Sequence, residues 1–347
     1  MPASEVDTET GLLTDSFGRT ARDLRVSLTD RCNLRCSYCM PAEGLPWLPD
    51  EQTLTDDEVL RLLAVAVERL GVRKLRFTGG EPLLRASLER LVAGAHQLVT
   101  HEGRPPEITL TTNGLGLDKR LSGLVAAGLD RVNVSLDSLD RQRYAALTRR
   151  DRLPDVLASL RAVEQAGLTP IKVNAVIMRE VNTDDIVPLA TFALERGYQL
   201  RYIEQMPLGP KHSWDRRQMV TAAEILEALG EHFTLTPLDE PRGAAPAELW
   251  QVHPTEQTPG GIIGVIASVS APFCGSCDRT RITSDGQVRN CLFSQVETDL
   301  RGLLRRGATD DELALAWRGS HLTKGPGHGI DLPGFHQPDR PMSAIGG

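Results

Sequence analysis

Six cysteines fall in two sets of three, and both sets have spacings that suit metal chemistry. Cys32, Cys36 and Cys39 share the short stretch CNLRCSYC, while Cys274, Cys277 and Cys291 lie towards the far end of the 347-residue chain. Three disulfides are arithmetically open. The first set, however, is too local to staple distant parts of a fold, and a reducing compartment keeps thiols free. A structural zinc ion normally takes four Cys or His ligands. The nearest histidines, His96 and His253, stand far in sequence from either set, so zinc would need a remote ligand. Iron–sulfur clusters are held by cysteine thiolates, and a 4Fe–4S cluster given only three leaves one iron open to something else. Two three-cysteine sets therefore point to two clusters, each with an open iron.

Thiols arranged in this way need a rigid frame. Short β-rich segments recur, each followed by a helical pattern: DLRVSL (23–28), KLRFTGG (74–80), EITLTTNG (107–114), RVNVSLD (131–137), IKVNAVI (171–177) and QLRYIEQM (199–206). Ahead of the second strand, Thr55 and Glu58 form a capping box, Leu60, Leu63 and Val67 recur at helical spacing, and Gly71 ends the helix. Six such units predict an α/β fold with a parallel sheet and right-handed crossovers. Strands covered on both faces usually read as apolar runs. Here Arg25 and Ser27, Lys74, Arg76 and Thr78, Thr109 and Thr111, Asn133 and Ser135, and Lys172 and Asn174 each share one face of their strand. One solvated face explains a single strand of this kind. Five of them fit an incomplete (β/α)6 TIM-type barrel whose lumen holds a polar ligand. Arg25, Arg76 and Lys172 in such a lumen call for an anion, because unpaired buried cations are costly.

After Met206 the repeat stops. A helix around residues 221–232 is expected, then a Pro- and Ala-rich connector at 237–248, then CGSCDRTRITSDGQVRNC. Asp285-Gly286 signals a two-residue hairpin that would pair Ser284 with Gln287, Arg281 with Asn290 and Thr280 with Cys291. That register returns Cys291 beside Cys277. The expected division is a flexible N-terminal tail over 1–17, the partial barrel over 18–236, and a C-terminal extension over 237–347 that carries the second cluster and packs against the barrel. At 40% hydrophobic residues the chain can bury one large core or two smaller ones. No run approaches the ~18 apolar residues of a membrane span, and the acidic start lacks the basic and apolar parts of a signal peptide. A cytoplasmic location follows as an expectation. The net charge of -7 argues against a general nucleic-acid or membrane-surface binder.

The C-x3-C-x2-C spacing of CNLRCSYC, with an aromatic before its last cysteine, resembles the cluster motif of the radical S-adenosylmethionine superfamily, and FTGGEP (77–82) resembles that superfamily's glycine-rich motif. LRVSLTDRCNLRCSYCMP, LRFTGGEPLLR, LTTNGLGL, VNVSLDSLD, IKVNAVIMR, FCGSCDRTRIT with its later Cys291, and the terminal IGG are similar to the GTP 3′,8-cyclase family of molybdenum cofactor biosynthesis, over roughly residues 18 to 347. The resemblance implies that Cys32, Cys36 and Cys39 hold a first 4Fe–4S cluster whose open iron binds S-adenosylmethionine, and that Cys274, Cys277 and Cys291 hold a second. By the same resemblance Tyr38, Gly80, Ser135 and Met206 would line the S-adenosylmethionine site. Arg25, Arg76, Thr111, Lys172, Arg279, Thr280 and Arg281 would contact GTP. The implied reaction generates a 5′-deoxyadenosyl radical, removes the hydrogen at C3′ of the GTP ribose and joins that carbon to C8, giving (8S)-3′,8-cyclo-7,8-dihydroguanosine 5′-triphosphate. No acid–base pair is nominated, since the cofactor supplies the reactivity. Implied partners are a reductant such as flavodoxin or ferredoxin and a downstream cyclic pyranopterin monophosphate synthase, with a homodimer left open. In the family the terminal glycines, here Gly346 and Gly347, thread into the active site. Two other readings stay in view: a different radical enzyme with an auxiliary cluster, for example one modifying peptides, and a non-catalytic zinc-binding scaffold. Singly, Thr111 and Ser135 could cap helices, Met206 could be core, and Glu81 could cap the helix after it.

Overall fold

The computed structural model describes residues 11–346 apart from 212, 213, 240, 241 and 257. The six β-rich segments form β1 (Asp23–Ser27), β2 (Lys74–Thr78), β3 (Glu107–Thr112), β4 (Arg131–Ser135), β5 (Lys172–Ile177) and β6 (Gln199–Glu204), side by side in chain order and all parallel. The connections carry helices α1 (Asp56–Ala64), α2 (Leu88–His96), α3 (Leu117–Ala126), α4 (Arg141–Thr148), α5 (Leu153–Gln165) and α6 (Ile186–Glu195). The Thr55/Glu58 capping box opens α1 as expected, and the chain turns back towards β2 at Gly71, where φ is +74°. Alternate strand residues, among them Leu24, Val26, Leu75, Phe77, Ile108, Leu110, Val132 and Val134, are at most 1% exposed. Each such burial contributes about 1.5–3 kcal/mol. Because strand side chains alternate, this apolar face fixes Arg25, Arg76, Thr111 and Ser135 on the other one.

The C-terminal chain extends the same sheet rather than standing beside it. It supplies α7 (Ala222–Gly230), β7 (Leu235–Pro237), β8 (Glu248–Val252), β9 (Gly261–Ile266), β10 (Arg279–Ile282), β11 (Gln287–Arg289), β12 (Thr298–Asp299), α8 (Leu300–Arg305) and α9 (Asp310–Leu322). β9 lies parallel to β6, with β8 and β7 antiparallel beyond it; β10 lies parallel to β1, with β11 and β12 antiparallel beyond. Among the described residues the sheet thus has twelve strands, and the six-unit core gains a parallel strand at each edge. The stretch expected as a connector at 237–248 is the loop between β7 and β8.

Two expectations need correction. The β10–β11 hairpin pairs Arg281 with Arg289 and Ile282 with Val288, one residue away from the expected register. The Thr283 hydroxyl donates to Asp285 (2.5 Å) and accepts from the backbone N–H of Gln287 (2.9 Å), which draws a third residue into the turn, and Gly286 takes the left-handed conformation that closes it. The expected flexible segment up to residue 17 is folded from residue 11 onwards: Leu13 is fully buried, its N–H donates to Leu70 O, and Thr14 and Thr20 form a bridge. Residues 1–10 lie outside the described residues. Among the described residues no helix is long and apolar enough to cross a membrane.

Candidate active site

The loop that follows β1 carries Cys32, Cys36 and Cys39, and its shape is held by contacts from several elements. The N–H groups of Arg35 and Ser37 donate to Thr148 O and Leu147 O at the end of α4. Arg149, just past that helix, takes the left-handed conformation (φ 55°) and donates to the carbonyls of Arg35 and Met40, both at 3.0 Å. Gly79 and Gly80, at the exit of β2, let that strand approach the cysteine loop: a Cβ on Gly80 would sit 2.3 Å from Arg31 O, and one on Gly79 2.4 Å from Thr29 O. Burial pushes the Cys32 thiol up to about 11 and Cys39 up to about 12, and burial with Asp137 nearby puts Cys36 well above the ordinary range. Tyr38 donates to Asp137 (2.8 Å), which also accepts from Val176 N–H. Glu81 accepts from Leu83 N–H, Thr112 Oγ1 and Asn113 N–H, and burial raises it to about 7.

The polar face of the sheet concentrates positive charge. Register sets Arg281, Arg25 and Arg76 directly abreast on β10, β1 and β2, and like charges opposite one another on neighbouring strands are destabilising. Burial, then Arg76 and Arg281, hold Arg25 well below the usual arginine range. Asp23 answers them with one carboxylate; burial opposes its ionisation, but Arg76, Arg25, Arg279 and Arg281 keep it below its ordinary value. The Nε atoms of Arg25, Arg76, Arg201 and Arg279 are buried without a hydrogen-bond partner. Such a group of orphaned donors matches an anion with many acceptor oxygens.

The second cysteine set faces the same space. Cys274 and Cys277 flank a short helical turn before β10, and Cys291 follows β11. Burial pushes Cys274 up, whereas Arg279 and Lys324 overcome burial at Cys277 and bring it down to about 7. Both sets, Arg25, Arg76, Gly80, Thr111, Ser135, Met206, Arg279 and Arg281 line one cavity of about 310 Å³, in the size range of ligand sites. Thr280 does not: strand alternation turns it to the opposite face, where Trp317 Nε1 donates to it (3.1 Å). Lys172 stands between Asn133 and Gln199 in the register, outside the cavity lining. Burial and the charges of Arg201, Arg131 and Arg76 lower it to about 7.

The C-terminal segment closes over this cavity. Met342 N–H donates to Leu208 O, Ile345 is fully buried in a small apolar cluster with Leu208, Val269 and Phe293, and Arg281 donates to Gly346 O. A Cβ on Gly346 would meet Ser27 Cβ and Thr78 Cγ2, each at 3.0 Å, and its φ is +86°. Only a residue without a side chain passes there unstrained. Gly347 lies outside the described residues. Sequence reasoning missed Arg201, Asp137 and Asn113 as lining residues. Arg201 carried the available signal, an arginine alternating with apolar residues on β6 as Arg25 does on β1.

Two clusters fit the donor set. The thiols of each set are near enough to influence one another electrostatically. Yet among the described residues no three Cys, His, Asp or Glu side chains gather tightly enough for a single ion. A cluster takes each thiolate on a different iron, which suits three neighbouring thiols that do not converge on one ion.

The fold and the front loop define a radical S-adenosylmethionine protein: residues 26–193 match the Radical SAM superfamily, and residues 198–330 match Molybdenum Cofactor Synthesis C. A GTP 3′,8-cyclase of Corynebacterium glutamicum (strain R) is 65% identical over 97% of this chain and 89% of its own length, and GTP 3′,8-cyclase 2 of Mycobacterium bovis is 61% identical over 97% and 93%. The chain belongs to the GTP 3′,8-cyclase family, which uses two 4Fe–4S clusters with S-adenosylmethionine. Among solved structures, Streptococcus suis SuiB bound to S-adenosylmethionine has a TM-score of 0.58 at 14% identity, covering 94% of this chain and 76% of that one, a likeness of fold.

Proposed function

We propose that this cavity cyclises GTP between C3′ and C8, and that the eight parallel strands curl into a partial barrel around it, with the second cluster held by the C-terminal extension. Cys32, Cys36 and Cys39 would hold the first cluster, with S-adenosylmethionine beside Tyr38, Gly80, Ser135 and Met206. Cys274, Cys277 and Cys291 would hold the second. When bound, the first cluster and S-adenosylmethionine supply the one-electron chemistry that removes hydrogen from the ribose.

The chain's own part is binding, orientation and exclusion of water. Arg25, Arg76, Arg279 and Arg281, joined by Arg201, would take the triphosphate through charge-assisted bonds worth roughly 1.5–3 kcal/mol each. Thr111 offers a hydroxyl on the same face, and Lys172 would act at longer range as a charge behind the site. Thr280, facing Trp317, would steady the strand that carries Arg279 and Arg281 rather than touch substrate. The tail through Gly346 would shut the cavity and hold Arg281. A one-electron reductant such as flavodoxin or ferredoxin would serve the first cluster, and a cyclic pyranopterin monophosphate synthase would take the product. The observation that carries this reading is the row of three abreast arginines, Arg281, Arg25 and Arg76, the last two with buried Nε donors left unpaired, opening on the same cavity as both cysteine sets.

The test is anaerobic incubation of the reconstituted protein with S-adenosylmethionine, dithionite and each of the four ribonucleoside triphosphates, followed by mass spectrometry. GTP alone should be consumed, with 5′-deoxyadenosine, methionine and a 3′,8-cyclised product appearing together. Cofactor cleavage that leaves GTP intact would overturn the assignment.

A further inference from the structure

The N-terminal turn contains a buried ion pair that binding and cyclisation leave unused. Asp15 accepts from the N–H groups of Phe17 (2.9 Å) and Arg19 (3.0 Å) and from Arg19 Nε (2.6 Å), and the two side chains are 0% and 8% exposed. Arg19 spends its remaining donors far away in sequence. One terminal nitrogen donates to Cys274 O (2.7 Å) and Pro326 O (3.2 Å), and the other to Gly325 O (2.6 Å). Phe17 covers the guanidinium, its ring centre 5.2 Å away. One rigid fork therefore ties the first residue of the second cysteine set to the segment around 325.

That segment is itself wrapped against the thiols. Lys324 is 4% exposed; its ammonium donates to Cys277 O (3.2 Å) and Arg279 O (2.8 Å) and lies 3.4 Å from Cys277 Sγ. A Cβ built on Gly327 would lie 3.8 Å from Cys274 Cβ, so the backbone there passes close to the thiol turn. The fork thus sets how far the Cys274 turn stands from the chain that covers it.

We infer that Asp15 and Arg19 are positioning residues for the second cysteine site: by gripping Cys274, Gly325 and Pro326 at once, they shape that site before any cluster is present. The inference rests on reading Cys274, Cys277 and Cys291 as cluster ligands. Its effect is local, because the front loop is braced separately by Arg149. Lysine could not replace Arg19, since a single ammonium lacks the planar set of donors that reaches four acceptors.

The experiment compares wild type, Arg19→Ala, Arg19→Lys and Asp15→Asn as full-length protein. In the cluster-free form, alkylation of each cysteine is timed by peptide mass spectrometry. Loss of the grip should speed Cys274 about ten-fold in Arg19→Ala, the equivalent of one charge-assisted bond, with Cys32 and Cys39 unchanged. Arg19→Lys should stay close to the alanine variant, and Asp15→Asn should fall between that and wild type. In the reconstituted form, a chelator challenge should strip iron from the second site first in the variants, while cleavage of S-adenosylmethionine persists. Equal acceleration at both cysteine sets, or wild-type rates at Cys274 in a folded Arg19→Ala, would overturn the inference. If Arg19→Ala does not fold, the same comparison in Asp15→Asn decides it. A wild type that binds only one cluster would remove the underlying reading, and the alkylation contrast would still decide whether the grip exists.

Discussion

Cys32, Cys36 and Cys39 stand on one loop after β1, whereas Cys274, Cys277 and Cys291 are gathered by a turn, a hairpin, the segment around Lys324 and the N-terminal Arg19. The surroundings differ at one thiol as well. Front thiols are pushed up by burial with Asp137 and Glu81 close by, while Arg279 and Lys324 bring Cys277 down. The front site takes its three thiols from one loop, braced by the end of α4, the exit of β2 and, at Cys39, the backbone of Ser343. The back site is a product of tertiary structure, placed where the chain's two ends, the arginine row and the hairpin meet. A site that only generates a radical can be self-contained. A second site beside the proposed substrate-binding arginines depends on parts that the fold brings from far apart.

Damage to the tail should separate the two sites most strongly. Gly346→Ala puts a methyl group against Ser27 and Thr78 at a left-handed position and should unseat the contact to Arg281. Cyclised product is expected to fall about 100-fold, the usual scale for a small misplacement of reacting groups. Cleavage of S-adenosylmethionine, measured as 5′-deoxyadenosine, should stay near wild type. Parallel loss of both activities would erase the proposed independence of the front site.

The arginine row should yield a smaller effect with opposite signs in two assays. Arg25 lies between Arg76 and Arg281, and its buried Nε has no partner. Arg25→Met should weaken GTP binding by roughly ten-fold and raise the melting temperature of the ligand-free protein, because it removes like-charge repulsion. A variant that melts lower and still binds GTP normally would show that this cation serves the fold rather than a ligand.

Lys172 should give the smallest signal. Folding lowers it to about 7, while the unfolded lysine titrates near ~10.4. Between those values the unfolded chain holds a proton that the folded chain has released, so stability rises with pH across that window and is lost as pH falls from about 10 to 7. Thermal melts of the ligand-free protein should show this slope, and Lys172→Met should flatten it. GTP should flatten it too, since a triphosphate nearby restores the charged lysine. An identical slope in the methionine variant would assign the dependence elsewhere.

Features carried by local pattern were legible in the sequence. Cysteine spacing, the six strands, the α1 capping box and the alternating arginines of β1 and β2 each express a rule that acts within a few residues. Alternation along β10 also held enough to separate Thr280 from Arg279 and Arg281, so Thr280 could have been set aside from sequence alone. The hairpin register was not legible, because the Thr283 hydroxyl rather than Asp285-Gly286 alone sets the turn. The addition of β9 and β10 to opposite edges of the sheet, and the grip of Arg19 on Cys274, join residues far apart in the chain. No local spacing encodes such pairings. Arg201 was legible by the same alternation as Arg25, an arginine between Leu200 and Tyr202 on β6, though sequence reasoning missed it.

The central claim is that the two cysteine sets hold separate clusters, and iron analysis with Mössbauer spectroscopy on three anaerobically reconstituted proteins tests it. Wild type should carry two 4Fe–4S clusters. Replacing Cys32, Cys36 and Cys39 together by alanine should halve the iron and abolish cleavage of S-adenosylmethionine. Replacing Cys274, Cys277 and Cys291 should also halve the iron, leaving the other cluster's spectrum in place. A single cluster type, lost entirely with either replacement, would contradict the account.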